Sequence, residues 1–135
     1  MSKPTVLIVE DEIFLALDIE RILQDAGYEV AGLASDKREA LEAAAKGVAI
    51  AFVDMNLRDG PTGPGIACEL ARRGAQIVYV TANPAQIDPV AERAVCVVKK
   101  PFREETIVRA ARYAQAPENV DRSQTRDEEL VWLYN

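Results

Sequence analysis

Histidine is absent from the 135 residues. That absence removes histidine-ligated zinc, Ser-His-Asp and Cys-His catalysis, and any phosphoryl relay through the chain's own imidazole. Carboxylates, hydroxyls and amines must carry whatever chemistry exists. Cysteine is scarce: Cys68 and Cys96 are the two, far apart and without C-x-x-C spacing. They read as small buried apolar residues rather than as ligands or a disulfide. Cations are outnumbered, with 16 Lys and Arg against 22 Asp and Glu, and the net charge of −6 has the wrong sign for gripping a phosphate backbone. No direct nucleic-acid partner is expected. No apolar run reaches the ~20 residues that a membrane helix needs, and the start MSKPTVLIVEDE lacks the basic, apolar and small-residue order of a signal peptide. A soluble, cytoplasmic protein without membrane association is the expectation.

What is present is alternation. Hydrophobic residues make up 49% of the chain, enough for one core, and 135 residues fit one ordinary domain. Short β-branched runs alternate with amphipathic stretches, the mark of βα units around a parallel sheet. Thr5–Val9, Ile50–Val53, Ile77–Val80 and Ala94–Val98 are nearly continuous apolar runs, as expected of central strands covered on both faces. Tyr28 to Leu33 is a weaker, lateral strand candidate. Leu15, Ile19, Ile22, Leu23 and Ala26 recur at helical spacing and end at Gly27, which suits the position just past a helix. Ser35 and Asp36 offer cap oxygens before Glu39, and Thr62 with Gly63-Pro64 opens a third helix by cap-then-proline chemistry. Ile107, Ala110, Ala111 and Ala114 mark the face of a fifth.

In an open parallel α/β sheet the ligand site lies beyond the carboxyl ends of the strands. Glu10 and Asp11 follow the first run, Asp54 the third, Thr81 the fourth, and Lys100 the fifth. Three carboxylates at one edge repel each other unless a cation sits among them. All-oxygen ligation points to Mg²⁺, which takes one or two carboxylates, several waters and a substrate phosphate. Asp54 can then attack phosphorus to give an acyl phosphate, with Lys100 and Thr81 contacting the equatorial oxygens. Taken singly each residue has a plainer role. Glu10-Asp11-Glu12 could be an acidic first turn of a helix, Asp54 an Asx turn, and Lys99-Lys100 a solvated basic pair. Their joint placement at four strand ends carries the functional reading.

The segments Val-Leu-Ile-Val-Glu10-Asp11-Glu, Val-Asp54-Met-Asn56-Leu, Val-Thr81-Ala and Lys100-Pro101-Phe102 resemble the motifs of response-regulator receiver domains. The resemblance covers about residues 4 to 115. It implies a flavodoxin-like (βα)5 three-layer sandwich with a five-stranded parallel sheet in the order 2-1-3-4-5, as in chemotaxis receivers. It implies that Glu10 and Asp11 form the acidic pair and that Asp54 is the phosphoacceptor. Asn56 would lend a backbone carbonyl to Mg²⁺, Thr81 is the switch hydroxyl, and Lys100 is the phosphate-binding lysine. Lys99 is the rival for the last role, but successive strand residues face opposite ways and the family lysine directly precedes proline. The donor would be a phosphohistidine on a sensor histidine kinase or a histidine phosphotransfer protein. The protein would catalyse only its own phosphorylation and dephosphorylation, with Asn56 and Asn83 modulating the latter, and signal by phosphorylation-dependent protein–protein contact.

Departures from the family concern the output side. Val97 stands where the family usually carries the switch Tyr or Phe, so there is no ring to swing. The segment between Thr81 and Lys100 is short and holds Pro84 and Pro89, which predicts a short or irregular fourth helix. Arg58 replaces a common proline after Asp54. The receiver domain is assigned to residues 1–116 and a tail to 117–135, too short for a familiar output domain, so a stand-alone regulator is expected. Thr125 and Glu128 could form a capping box ahead of Leu130–Tyr134, predicting a short amphipathic helix. That tail, or the surface of the fourth helix, fifth strand and fifth helix, is a candidate homodimer contact. Two rivals stand beside this reading. A pseudo-receiver would keep the fold without accepting phosphate. A haloacid-dehalogenase-type phosphatase would place Asp-x-Asp after the first strand, where this chain has its paired acids instead.

Overall fold

A computed structural model describes residues 4–57, 59–82, 94–116 and 130–132. Five strands, β1 (Thr5–Val9), β2 (Glu29–Ala34), β3 (Ile50–Asp54), β4 (Gln76–Thr81) and β5 (Ala94–Lys99), form a parallel sheet in the order β2-β1-β3-β4-β5. Four helices are described: α1 (Ile13–Asp25), α2 (Lys37–Ala43), α3 (Gly63–Arg72) and α4 (Glu104–Gln115). The flavodoxin-like order expected from the motifs is the order observed.

The sheet alternates its side chains between two cores, as a pleated strand must. Val6, Ile8, Phe52, Val78, Val80, Cys96 and Val98 pack with Ile19, Ile22 and Leu23 of α1 and Ile107, Ala110 and Ala111 of α4. Leu7, Val9, Ala51, Val53, Ile77, Tyr79 and Val97 pack with Ala40 of α2 and Ile66, Ala67 and Leu70 of α3. Cys96 is buried and Cys68 half-buried, and neither forms a disulfide, in line with their reading as small apolar residues.

Local signals explain the helix ends. Gly27 takes φ +97°, the amide of Tyr28 donates to the Leu23 carbonyl at 2.9 Å, and that of Gly27 donates to Gln24 at 3.0 Å, the paired bonds that close a helix through a left-handed residue. At α2 the Asp36 carboxylate accepts from the Glu39 amide at 2.9 Å, while Glu39 accepts from the Ser35 amide at 2.8 Å, a reciprocal cap. The third helix departs from expectation. Thr62 does not cap α3 with its side chain; its hydroxyl donates to Asp59 Oδ1 at 2.5 Å, because the loop before it turns that carboxylate toward it.

The expected terminal helix is corrected at its core. Leu130–Trp132 form a sixth strand, β6, antiparallel to β5, with Cys96 opposite Trp132, Val97 opposite Val131 and Val98 opposite Leu130. An apolar run that includes Val and Trp suits a pleated ladder, and the open edge of β5 supplies the backbone partners. Thr125 and Glu128 lie outside the described residues, as do Arg58, Asn83, Pro84, Pro89 and the fourth helix expected between Thr81 and Lys100.

Candidate functional site

At the carboxyl edge of the sheet, β1 runs directly into Glu10, whose amide extends the ladder by donating to the Ala34 carbonyl at 2.8 Å. The Glu10 side chain is almost wholly buried. Its Oε2 accepts from the Glu12 amide at 3.2 Å. Asp11 follows, exposed to solvent. Asp54 ends β3 with 7% exposure, paired in register with Val80 of β4. Its Oδ1 accepts from the Asn56 amide at 3.3 Å. One carboxylate oxygen from each of Glu10, Asp11 and Asp54 lies within 4.8 Å of the others.

Lys100 leaves the end of β5 and crosses this edge. Its amide donates to the Thr81 carbonyl at 2.9 Å, and its Nζ donates to Asp54 Oδ2 at 3.2 Å. The same Nζ stands 2.9 Å from Glu10 Oε1, close enough for an ion pair but at an angle that makes no hydrogen bond. Oε1 is thus a buried oxygen without a hydrogen-bond donor. Lys99, its neighbour, is exposed. The Lys100–Pro101 peptide is cis. Thr81 is buried at the end of β4, one residue beyond Val80.

Electrostatics follow from this crowding. Burial first, and then the nearby Asp54 carboxylate, push Glu10 up to about 7, against the opposite pull of Lys100. Burial pulls Lys100 downward, but the close Glu10 and Asp54 carboxylates outweigh it and leave the amine raised. One cation is shared between two buried or nearly buried acids, and a third acid waits at the rim. An orphaned oxygen in an all-oxygen donor set fits a hard divalent cation. A soft or nitrogen-preferring metal finds no ligand of its type in this cluster.

The loop after β3 is held tightly. Leu57 and Gly60 exchange amide-to-carbonyl bonds of 2.9 Å in both directions. Asp59 Oδ2 accepts from the Lys37 amide at 3.3 Å, which ties the loop to the first turn of α2. The Thr62 bond to Asp59, then the Lys37 amide, hold the Asp59 carboxyl below its ordinary value. Gly63 then passes so close beneath the strand end that its amide donates to the Met55 carbonyl at 3.2 Å. Two grooves flank the site. One of about 310 Å³ is lined by Glu10, Asp11, Ile13, Leu33, Ser35 and Glu39. The other, about 380 Å³, is lined by Leu15, Asp18, Ala82, Lys100, Pro101 and Phe102.

A family model described as "Response regulator receiver domain" matches residues 6–112. The chain belongs to the receiver domain family. It is 41% identical over 81 residues to the transcriptional regulatory protein PdtaR of Mycobacterium tuberculosis, covering 57% of this chain and 38% of that protein. It is 30% identical over 82 residues to the phyllosphere-induced regulator PhyR of Methylorubrum extorquens, covering 58% and 31%. The chain thus spans about a third of the length of these curated relatives. Among solved structures, the receiver domain of PhyR from Erythrobacter litoralis superposes with a TM-score of 0.73 at 26% identity, covering 90% of this chain and 96% of that one.

Receiver motifs read from the sequence thus meet in one place: Glu10, Asp11, Asp54 and Lys100 form a single cluster, with the Asn56 amide on Asp54 and Thr81 at the adjoining strand end. Val97 lies elsewhere, buried in the core beside α2 and α3. Sequence reasoning missed the loop clamp of Asp59 and the close approach of Gly63. Gly63 carried a signal, since a glycine at a helix start invites the question of what a side chain would strike. Sequence reasoning also missed an exposed apolar strip on α1: Ile13, Phe14 and Leu17 are 54%, 81% and 44% exposed.

Proposed function

We propose that this receiver domain accepts a phosphoryl group on Asp54 from a phosphohistidine donor in a Mg²⁺-dependent reaction and signals through phosphorylation-dependent protein contact. The observation that supports it most is the undonated Glu10 oxygen within a cluster of three acids that shares one lysine.

Asp11, Asp54 and the backbone carbonyl of Asn56, with Glu10 behind them, would hold the Mg²⁺. When bound, the ion supplies charge neutralisation for the transferring phosphoryl oxygens. The Asn56 amide fixes Oδ1 and leaves Oδ2 as the nucleophile, presently held by Lys100. A new bond forms between Oδ2 and phosphorus as the phosphorus–nitrogen bond of the donor breaks. The electron pair leaves with the donor imidazole, which takes a proton from solvent, and an acyl phosphate remains on Asp54. Lys100 then moves its Nζ from the carboxylate to a phosphoryl oxygen, and the Thr81 hydroxyl donates to another. Hydrolysis reverses the state when water attacks phosphorus and returns the Asp54 carboxylate and inorganic phosphate. By resemblance to the family, Asn56 and Asn83 would influence the rate of that step. The chain processes no other substrate and is not an enzyme in the ordinary sense.

The donor would be a sensor histidine kinase or a histidine phosphotransfer protein in the cytoplasm. No helix among the described residues is long and apolar enough to cross a membrane. The exposed strip of Ile13, Phe14 and Leu17 borders the acidic groove and offers the donor an apolar footing.

Incubation with acetyl phosphate and Mg²⁺ tests the reading by intact mass. Addition of one phosphoryl group that is lost in Asp54→Asn supports it. A shift that persists in Asp54→Asn moves the site elsewhere. Mg²⁺ binding without phosphoryl uptake would make the domain a binding module instead.

A further inference from the structure

β5 would be the outer edge of the sheet were it not for β6. The ladder covers Cys96, Val97 and Val98, so it includes the position where the family usually carries its switch ring. Those three side chains are themselves buried, with 0–1% exposure, and point into the two cores. What the edge offers outward is backbone, and β6 takes it. The strand so covered is the one that delivers Lys100: two residues beyond Val98 its amide bonds to Thr81 and its Nζ reaches Asp54.

The cover is marginal. Three residues on each side allow only a few backbone hydrogen bonds, each contributing a factor of about two to ten in the closing equilibrium. Residues 116–129 separate α4 from β6 in sequence, and bringing the ends of a chain of that length together costs a factor of roughly fifty. The two effects are of similar size, so a small displacement of β5 decides between the closed and open forms. Tethering favours the chain's own strand over that of a second copy, because a covalent link of so few residues gives an effective concentration of about millimolar.

We propose that the outer edge of β5 is a strand-accepting surface, that Leu130–Trp132 of the same chain is its resident occupant, and that release of this strand reports phosphorylation of Asp54. The inference rests on the phosphoacceptor reading above. A phosphoryl group gives Lys100 an anionic partner beyond the carboxylate, which draws the end of β5 relative to β4. The Val98–Leu130 pair, nearest to Lys100, is lost first, and the three-residue ladder follows. The freed edge then takes an extended segment of a partner by strand addition.

The full chain tests this directly. Hydrogen exchange is followed at Cys96–Val98 and Leu130–Trp132 with Mg²⁺, with and without beryllofluoride as the phosphoryl stand-in, and fluorine NMR verifies loading of Asp54. The single tryptophan, Trp132, adds a fluorescence readout. Loading is expected to raise exchange at both strands by about fivefold or more, the scale of a local opening. Val131→Pro is expected to raise it without beryllofluoride while still taking up a phosphoryl group from acetyl phosphate. Unchanged exchange in a loaded protein overturns the inference and leaves the phosphoacceptor reading intact. Unchanged β5 exchange in Val131→Pro also overturns it, since β6 would then not cap the edge. Failure to load at all overturns both.

Discussion

Gly63 lies so close to Asp54 that a Cβ built on it would come within 2.2 Å of the Asp54 carbonyl oxygen and 2.6 Å of the Met55 Cα. Both are backbone atoms and neither can swing away. A methyl group at residue 63 therefore has to push back the strand end that carries the phosphoacceptor. Gly63→Ala is expected to cost about 1–3 kcal/mol, the usual range for overpacking. It should also weaken Mg²⁺ binding about tenfold, because Asp54 and Asn56 shift by fractions of an ångström. Thermal melts and a Mg²⁺ titration check the two effects. An unaltered Mg²⁺ affinity would show that the loop relaxes without moving the carboxylate.

That contact marks the limit of what the sequence made legible. The strands and the meeting of Glu10, Asp11, Asp54 and Lys100 could be read because apolar runs specify central strands and each motif sits immediately after one; the strand order came only from the resemblance to receiver domains. The Asp59 clamp and the Gly63 approach could not, because they depend on how a loop folds over a strand that is distant in no sequence pattern. The tail misled for a related reason. Leu130–Trp132 carry both helix-compatible spacing and β-forming side chains, and the open edge of β5, a tertiary feature, decides between them. Val97 lies within β5, as its apolar run implies, and its meaning lies in its neighbour. Tyr79 is its register partner on β4 and already fills the same core.

A ring at residue 97 would therefore meet the Tyr79 ring. Val97→Phe does not restore a family-like switch here. It is expected to destabilise by about 1–3 kcal/mol, and Val97→Phe with Tyr79→Val should recover most of that loss, a coupling of the size seen for touching side chains. Chemical denaturation of the four proteins in the cycle measures it. Additive effects would show that the two side chains do not compete for space.

Among the described residues, Lys100 is the one cation in contact with both Glu10 and Asp54. Lys100→Met removes neutralisation from the phosphoryl oxygens, and uptake from acetyl phosphate is expected to slow by about 10²-fold, as when one preorganised charge donor is lost from a transition state. Lys99→Met, altering an exposed residue, should leave the rate within about twofold. Equal slowing in both variants would show that general charge, not the Lys100 contact, controls uptake.

Phe14, at 81% exposure, tests the donor footing separately from the chemistry. Phe14→Ser is expected to leave the melting temperature unchanged, since surface substitutions lie within about ±0.5 kcal/mol, and to leave uptake from acetyl phosphate unchanged. Transfer from the cognate histidine kinase should fall by about tenfold at low receiver concentration, the loss of one buried aromatic contact. Equal transfer rates at subsaturating receiver would place the donor on another face.

Glu10 gives the metal-free protein an unusual pH response. Its carboxyl is raised from 4.5 to about 7 in the folded state, so between those values the folded chain holds a proton that the unfolded chain has released. Stability linked to this group is therefore full below about 4.5 and declines as pH rises through 7. Lys100 has the same sign but acts far higher, above its ordinary range. Mg²⁺ at millimolar concentration should displace the Glu10 proton and reverse the decline, so the stabilisation it confers grows with pH over this window. Melting temperatures from pH 5 to 8, with and without Mg²⁺, are expected to diverge in the wild type and to run more nearly parallel in Glu10→Gln. Divergence of the same size in Glu10→Gln would assign the linked proton to another acid of the cluster. The buried oxygen without a donor would then be a packing feature rather than a poised metal ligand.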